Sequence, residues 1–133
     1  MAVKQVSINC VEIEDKPGSL QAFLSAAAAG GVDFECFAAF SKGNGKGVAC
    51  AGAKDASVFA KYAKKAGIKT TKAVGFIISG KDKAGAAAKA LKPLADAGVN
   101  GCAGAAVVCN GQYHMLVIVA ASESKAAAKA LGI

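Results

Sequence analysis

Asp15-Lys16-Pro17-Gly18 returns 67 residues later as Asp82-Lys83-Ala84-Gly85, and at the same offset Gly31-Val32-Asp33 falls on Gly98-Val99-Asn100. Two separate matches in one register mark a tandem duplication. Further on, Ala66-Gly67-Ile68 corresponds to Leu131-Gly132-Ile133 at an offset of 65, so the second copy is two residues shorter. The sequence stops there, where the first copy still has a strand to come. Reading one copy therefore reads the chain.

Val3–Ile13 alternates apolar and polar residues, with Val6, Ile8 and Cys10 on one side, which is the period of a half-buried strand. Glu14 to Gly18 is a turn in which Pro17 presets the first helical φ. From Ser19 to Ala29, Leu20, Phe23, Leu24 and Ala27 follow the i, i+3, i+4, i+7 spacing of a core-facing helix, and Gly30-Gly31 stops it. Val32–Ser41 and Val48–Ala53 read as strands joined by the glycine-lysine turn Lys42–Gly47. Asp55 caps a second helix that carries Val58, Phe59, Tyr62 and Ala66 on one face. Ile68–Ser79 is an extended stretch of about 12 residues, long against the usual 5–6, and serves both copies.

The second copy repeats the pattern with a helix at Ala84–Ala97, strands at Val99–Cys109 and Tyr113–Ala121 around Asn110-Gly111, and a helix at Glu123–Leu131. Pro93 inside the first of these helices predicts a kink, since it removes one hydrogen bond and crowds the preceding turn. The order βαββαβ followed by βαββα predicts an α+β fold of tandem ferredoxin-like units, antiparallel sheets with helices on one face, the second copy lacking its last strand. The expected boundaries are 1–73 and 74–133. A unit of about 65 residues with small side chains buries a marginal core, so the two copies are expected to pack together. The missing strand predicts an unpaired edge beside Val74–Ser79, and hence a homodimer or a borrowed strand.

The composition narrows the function classes. Hydrophobic residues make up 54% and charged residues 19%, which excludes a disordered chain. No apolar run approaches a membrane span, and Lys4 and Glu12 interrupt any signal-peptide layout, so a cytoplasmic location is expected. The net charge of +7 comes from lysine alone. Without arginine the bidentate fork that reads phosphates and base edges is missing, and dispersed lysines read as a solvated surface rather than a specific nucleic-acid site. The five cysteines, Cys10, Cys36, Cys50, Cys102 and Cys109, form no CxxC pair and fall in predicted strands. Buried, reduced thiols are expected, with no metal site.

The loop Glu14-Asp15-Lys16-Pro17-Gly18-Ser19-Leu20 joins a strand to a helix N-terminus, where unpaired N–H groups suit a carboxylate or phosphate. Its spacing equally fits a proline-initiated helix capped by Asp15. With the preceding strand and the later Gly31-Val32-Asp33, the run Asp15 to Leu20 resembles the signature of the ACT domain. That family consists of βαββαβ modules that bind amino acids and regulate metabolic enzymes, and the resemblance covers nearly the whole chain as two copies without an attached catalytic domain. It implies that an amino acid sits at the interface between ACT units, its carboxylate on the loop and its ammonium facing the residue after Gly-Val. It nominates Asp15, Lys16, Pro17, Gly18, Ser19, Leu20 and Asp33 in the first copy, and Asp82, Gly85 and Asn100 in the second. The second loop has lost the proline, serine and leucine, which points to one working site per chain.

No catalytic residues and no cofactor are expected. The only nucleophile–base candidates are Cys109 and His114, on neighbouring strands across a turn. An acylphosphatase-like activity on this topology needs an arginine, a nucleic-acid module needs aromatics on Val48–Ala53, and a metallochaperone needs a CxxC loop. The sequence therefore reads as an amino-acid-sensing regulatory protein acting on a metabolic enzyme. The alternative is an unliganded module used for assembly.

Overall fold

The computed structural model describes residues 1–133. The chain is α+β, with β1 (Ala2–Glu14), α1 (Ser19–Ala29), β2 (Phe34–Gly43), β3 (Lys46–Ala53), α2 (Ala56–Ala66), β4 (Thr71–Lys81), α3 (Ala86–Asp96), β5 (Ala103–Cys109), β6 (Gln112–Ala120) and α4 (Ser124–Ala130). A single 3-10 turn, Ala121–Glu123, precedes α4. The strands pair antiparallel and each unit places its helices on one sheet face, the ferredoxin-like arrangement in tandem.

Two compact units divide the chain in an order that the repeat does not announce. One is Ser7–Lys72; the other joins Met1–Val6 to Ala73–Ile133. In the Ser7–Lys72 unit the strands run β2-β3-β1, and in the other they run β5-β6-β4-β1. No strand follows α4. The start of β1 takes the place that a last strand of the second copy would occupy. The unpaired edge expected beside Val74–Ser79 is therefore corrected: β4 pairs with β6 on one side, from Val74 opposite Val119 to Ser79 opposite His114, and has β1 on the other. At 13 residues β1 is more than twice the usual strand length, enough to serve both units.

The helices start and stop where short-range chemistry dictates. The Asp55 carboxylate accepts from the Ser57 N–H at 2.9 Å and the Ser57 hydroxyl at 2.7 Å, which caps α2. Its far end is closed by Gly67 in the left-handed region. Asn44-Gly45 and Asn110-Gly111 both have positive φ at the two central positions, the combination that a two-residue hairpin needs to match strand twist. Helix α3 continues through Pro93 from Ala86 to Asp96. Pro93 sits in its last turn, and the carbonyl it leaves without a donor belongs to the exposed residue Lys89.

The two cores divide bulk in opposite ways. In the Ser7–Lys72 unit the helix-side face of β3 carries only Ala49, Ala51 and Ala53, and the space above it is filled by Phe23 and Phe59 with Phe34 packed against them. The rings of Phe34 lie 5.9 Å from Phe23 and 5.9 Å from Phe59, within the range where aromatic pairs attract. In the other unit the strands supply the volume through Phe76, Ile78, Met115, Val117 and Val119, and the helices approach with Ala90, Leu94, Ala127 and Leu131.

The expectation of reduced, buried cysteines is corrected as well. The antiparallel register of β1 and β3 sets Cys10 opposite Cys50, and the two are joined in a disulfide across 40 residues of chain. Cys102 and Cys109 are exposed. Cysteine spacing along the sequence carries no record of cross-strand register, which is why the pair was not legible.

Candidate functional site

The loop between β1 and α1 takes its shape from Gly18. This residue is the N-cap of α1 at φ 88°, a conformation that side-chain-bearing residues rarely adopt, and no side chain caps the helix. The alternative of an Asp15 cap is thereby excluded: the Asp15 N–H instead donates to the Gly45 carbonyl at 2.9 Å, tying the loop to the β2–β3 turn. Ser19 N–H donates to the Lys16 carbonyl and Ala22 N–H to the Gly18 carbonyl. Gly85 repeats the arrangement at φ 84°, with Asp82 N–H donating to the Gly111 carbonyl.

Beside each loop lies a cleft closed by the end of the neighbouring hairpin. The first has a volume of about 220 Å³ and is lined by Glu14, Asp15, Lys16, Ser19 and Leu20 from the end of β1 and the start of α1, Ala39 to Ser41 from β2, and Ile13 and Gly47 beneath. Its counterpart, about 310 Å³, is lined by Asp82, Lys83, Gly85 and Ala86 to Ala88, with Ala106, Val108 and Tyr113. The repeat offset maps Ser19 onto Ala86 and Ser41 onto Val108, so both hydroxyls of the first cleft are absent from the second. The bulk at the base also changes strands: Ile13 faces Gly47 in the first copy, and Gly80 faces Tyr113 in the second.

The lining of the first cleft carries charges of both signs. Neither Asp15 nor Lys16 takes part in an ion pair. The adjacent Glu14 is engaged, accepting from Lys46 Nζ at 2.7 Å. This hydrogen bond holds the Glu14 carboxyl below its ordinary range, with the Lys46 charge adding to it, and raises Lys46 through the same contact. Glu12 is likewise paired with Lys42 at 3.3 Å. Glu14 also lines the cleft and feels the Lys16 charge beside that of Lys46, while Asp15 and Lys16 form no ion pair of their own.

The nominated residues do not all converge. Asp15, Lys16, Ser19 and Leu20 line the first cleft, whereas Pro17 and Gly18 shape the loop without lining it. Asp33 lies outside this cleft, its carboxylate bound to Lys54 Nζ at 2.8 Å and its carbonyl accepting from the Lys54 N–H. Asp82 and Gly85 line the second cleft, but Asn100 does not; its N–H donates to Glu123 Oε2 at 3.2 Å. Sequence reasoning missed Ser41, Phe40 and Ala39. The hairpin register that brings them to the loop follows from Asn44-Gly45, and the offset from Ser41 to Val108 is the sequence signal that singles out the hydroxyl.

Solved structures share this fold. A protein from Bacteroides thetaiotaomicron, BT0572, superposes with a TM-score of 0.76 over 97% of this chain and 88% of its own, at 17% identity. The regulatory subunit of aspartate kinase from Thermus thermophilus, in its ligand-free form, matches at 0.66 over 98% and 93%, with 19% identity. That from Thermus flavus matches at 0.59 over 98% and 93%, with 18% identity. These likenesses support an ACT-like fold. No protein-family model matches the chain, and no curated protein matches it either.

Proposed function

We propose that the chain is a regulatory protein that binds a free amino acid in the cleft between the β1–α1 loop and β2. It acts, as a homodimer in the cytoplasm, on a metabolic enzyme. The observation that carries this reading is the meeting of Asp15 and Lys16, neither of them in an ion pair, with the hydroxyls of Ser19 and Ser41 in a cleft sized for a small molecule. A zwitterion complements that set, with the ligand carboxylate facing Lys16 and its ammonium facing Asp15. Backbone N–H groups at the start of α1 add to the carboxylate side. The resemblance of Asp15 to Leu20 to the ACT signature, and the fold shared with aspartate kinase regulatory subunits, support the same reading.

The test is a thermal-shift screen of the twenty amino acids, since a ligand that binds only the folded state raises the midpoint with its concentration over Kd. One or a few amino acids are expected to raise it, and the double substitution Ser19→Ala, Ser41→Val, which installs the second copy's residues, is expected to remove the response. A flat screen rejects the proposal.

A second reading, an unliganded assembly module, is favoured by the two edge strands. Phe37 and Phe40 on β2 are 46% and 51% exposed, and Val107 and Val108 on β5 are 64% and 60% exposed. Apolar edges of this kind promote strand pairing between molecules. Sedimentation at tens of micromolar separates the readings when combined with the screen: a dimer with no ligand response supports assembly alone, and a monomer removes the dimer from both.

A further inference from the structure

The unit formed by Met1–Val6 and Ala73–Ile133 contains an open apolar cavity of about 500 Å³ between α3 and β5. Leu94, Val99, Met115 and Val117 line it and are buried; Gly101 and Gly104 line it from the β5 side. No charged side chain contributes to the lining. The repeat explains the space. At the 67-residue offset Gly101 corresponds to Phe34 and Gly104 to Phe37, and Ala90 corresponds to Phe23, on which Phe34 stacks. The strand registers agree: Phe37 pairs with Ala51 and Gly104 with Val117, and these partners stand equally far beyond the matched turn glycines Gly45 and Gly111.

We propose that this cavity binds the ring of a small, uncharged aromatic molecule in the place that corresponds to the Phe34 ring of the first copy. Three observations converge on a ring. In the first copy the position of Gly101 holds Phe34, whose ring stacks on Phe23; the wall left by the two glycines is bare backbone; and Met115 brings a thioether, which makes favourable contacts with aromatic rings. An apolar cavity of roughly 150 Å³ is enough to take up benzene, so 500 Å³ admits a bicyclic ring. Neither glycine is demanded by the backbone. Neither has the left-handed φ that favours glycine, and a Cβ at Gly104 would meet only the Leu116 carbonyl at 3.7 Å, one at Gly101 only Val117 Cγ1 at 3.4 Å. The cavity therefore follows from the missing side chains and not from a strained strand. This site is separate from the loop clefts and stands or falls without them.

The chain has two methionines and no tryptophan, which makes indole a clean probe. With methyl-¹³C methionine in the full chain, indole titration is expected to move the Met115 methyl upfield and saturably, at concentrations on the order of a millimolar or below, while Met1 stays in place. Indole fluorescence is expected to shift to the blue in parallel. Gly104→Phe is expected to abolish both responses, and Gly101→Leu serves the same purpose if the first variant does not fold. No saturable shift, or an undiminished one in the filled variants, overturns the proposal. Cyclohexanol saturating the Met115 shift at the same concentration overturns the assignment to aromatics. A Met115 signal that changes with protein concentration in the absence of indole overturns it in favour of a side chain from a second copy.

Discussion

Phe59 is 1% exposed and touches the rings of both Phe34 and Tyr62. Phe59→Ala is expected to cost about 3–5 kcal/mol in denaturant unfolding, because the alanines of β3 beneath it have no bulk with which to close the void. A one-atom change has a similar logic at Gly30, where a Cβ would stand 2.5 Å from the Tyr62 ring, so the helix α1 terminates under that ring and Gly30→Ala must displace it. The Glu14–Lys46 contact makes a separate prediction. Because the folded Glu14 value lies below its ordinary 4.5, its stabilising effect is present above that pH and fades as pH falls through the lowered value. The raised Lys46 value acts oppositely, its effect present below 10.5 and fading as pH rises through the raised value. In a carboxyl NMR titration Lys46→Ala is expected to move the Glu14 midpoint upward toward the ordinary range; an unmoved midpoint rejects the pair.

At the scale of the elements, the sequence was most informative where structure is decided over a few residues. The α1 limits Ser19–Ala29, the Asp55 cap, the turn within Lys42–Gly47 and the Asn110-Gly111 turn were legible because capping and positive φ are local demands. Part of the candidate site was legible for the same reason: Asp15, Lys16, Ser19 and Leu20 are close together along the chain. Ser41 was not, since it reaches that loop only through hairpin register. Asp33 is the opposite case, belonging to a recognisable motif while its carboxylate is bound to Lys54 outside the first cleft. The Cys10–Cys50 bond is likewise a product of register. Closing 40 residues of chain, it is expected to contribute up to about 4 kcal/mol in an oxidising medium. A reductant should lower the thermal midpoint of the native chain and leave that of Cys10→Ser, Cys50→Ser unchanged. In a reducing cytoplasm the same register leaves two thiols facing each other.

Across the whole molecule, the duplication was read from two short matches, but the use made of it was not. The repeat shows one full copy and one shortened, altered copy in nearly constant register. The structure shows one copy holding its core with rings and the other with aliphatic strands, one cleft with hydroxyls and one without. It also shows residues 1–6 serving the second unit rather than the first. Deleting these six residues is expected to lower hydrogen-exchange protection in β4 and β6 while sparing β2 and β3; uniform loss would contradict the division of β1. That division also sets an order of events during synthesis. The second half of β1 meets β3 within about 50 residues of emerging chain, whereas its first half has no partner until β4 has been made. Domains fold as units, the earlier-made one first, so the Ser7–Lys72 unit is expected to form while the rest is still being translated. The other unit waits on the longest closure in the chain, because residues 1–6 find their partners only after Ala73 and the strands beyond it have been made.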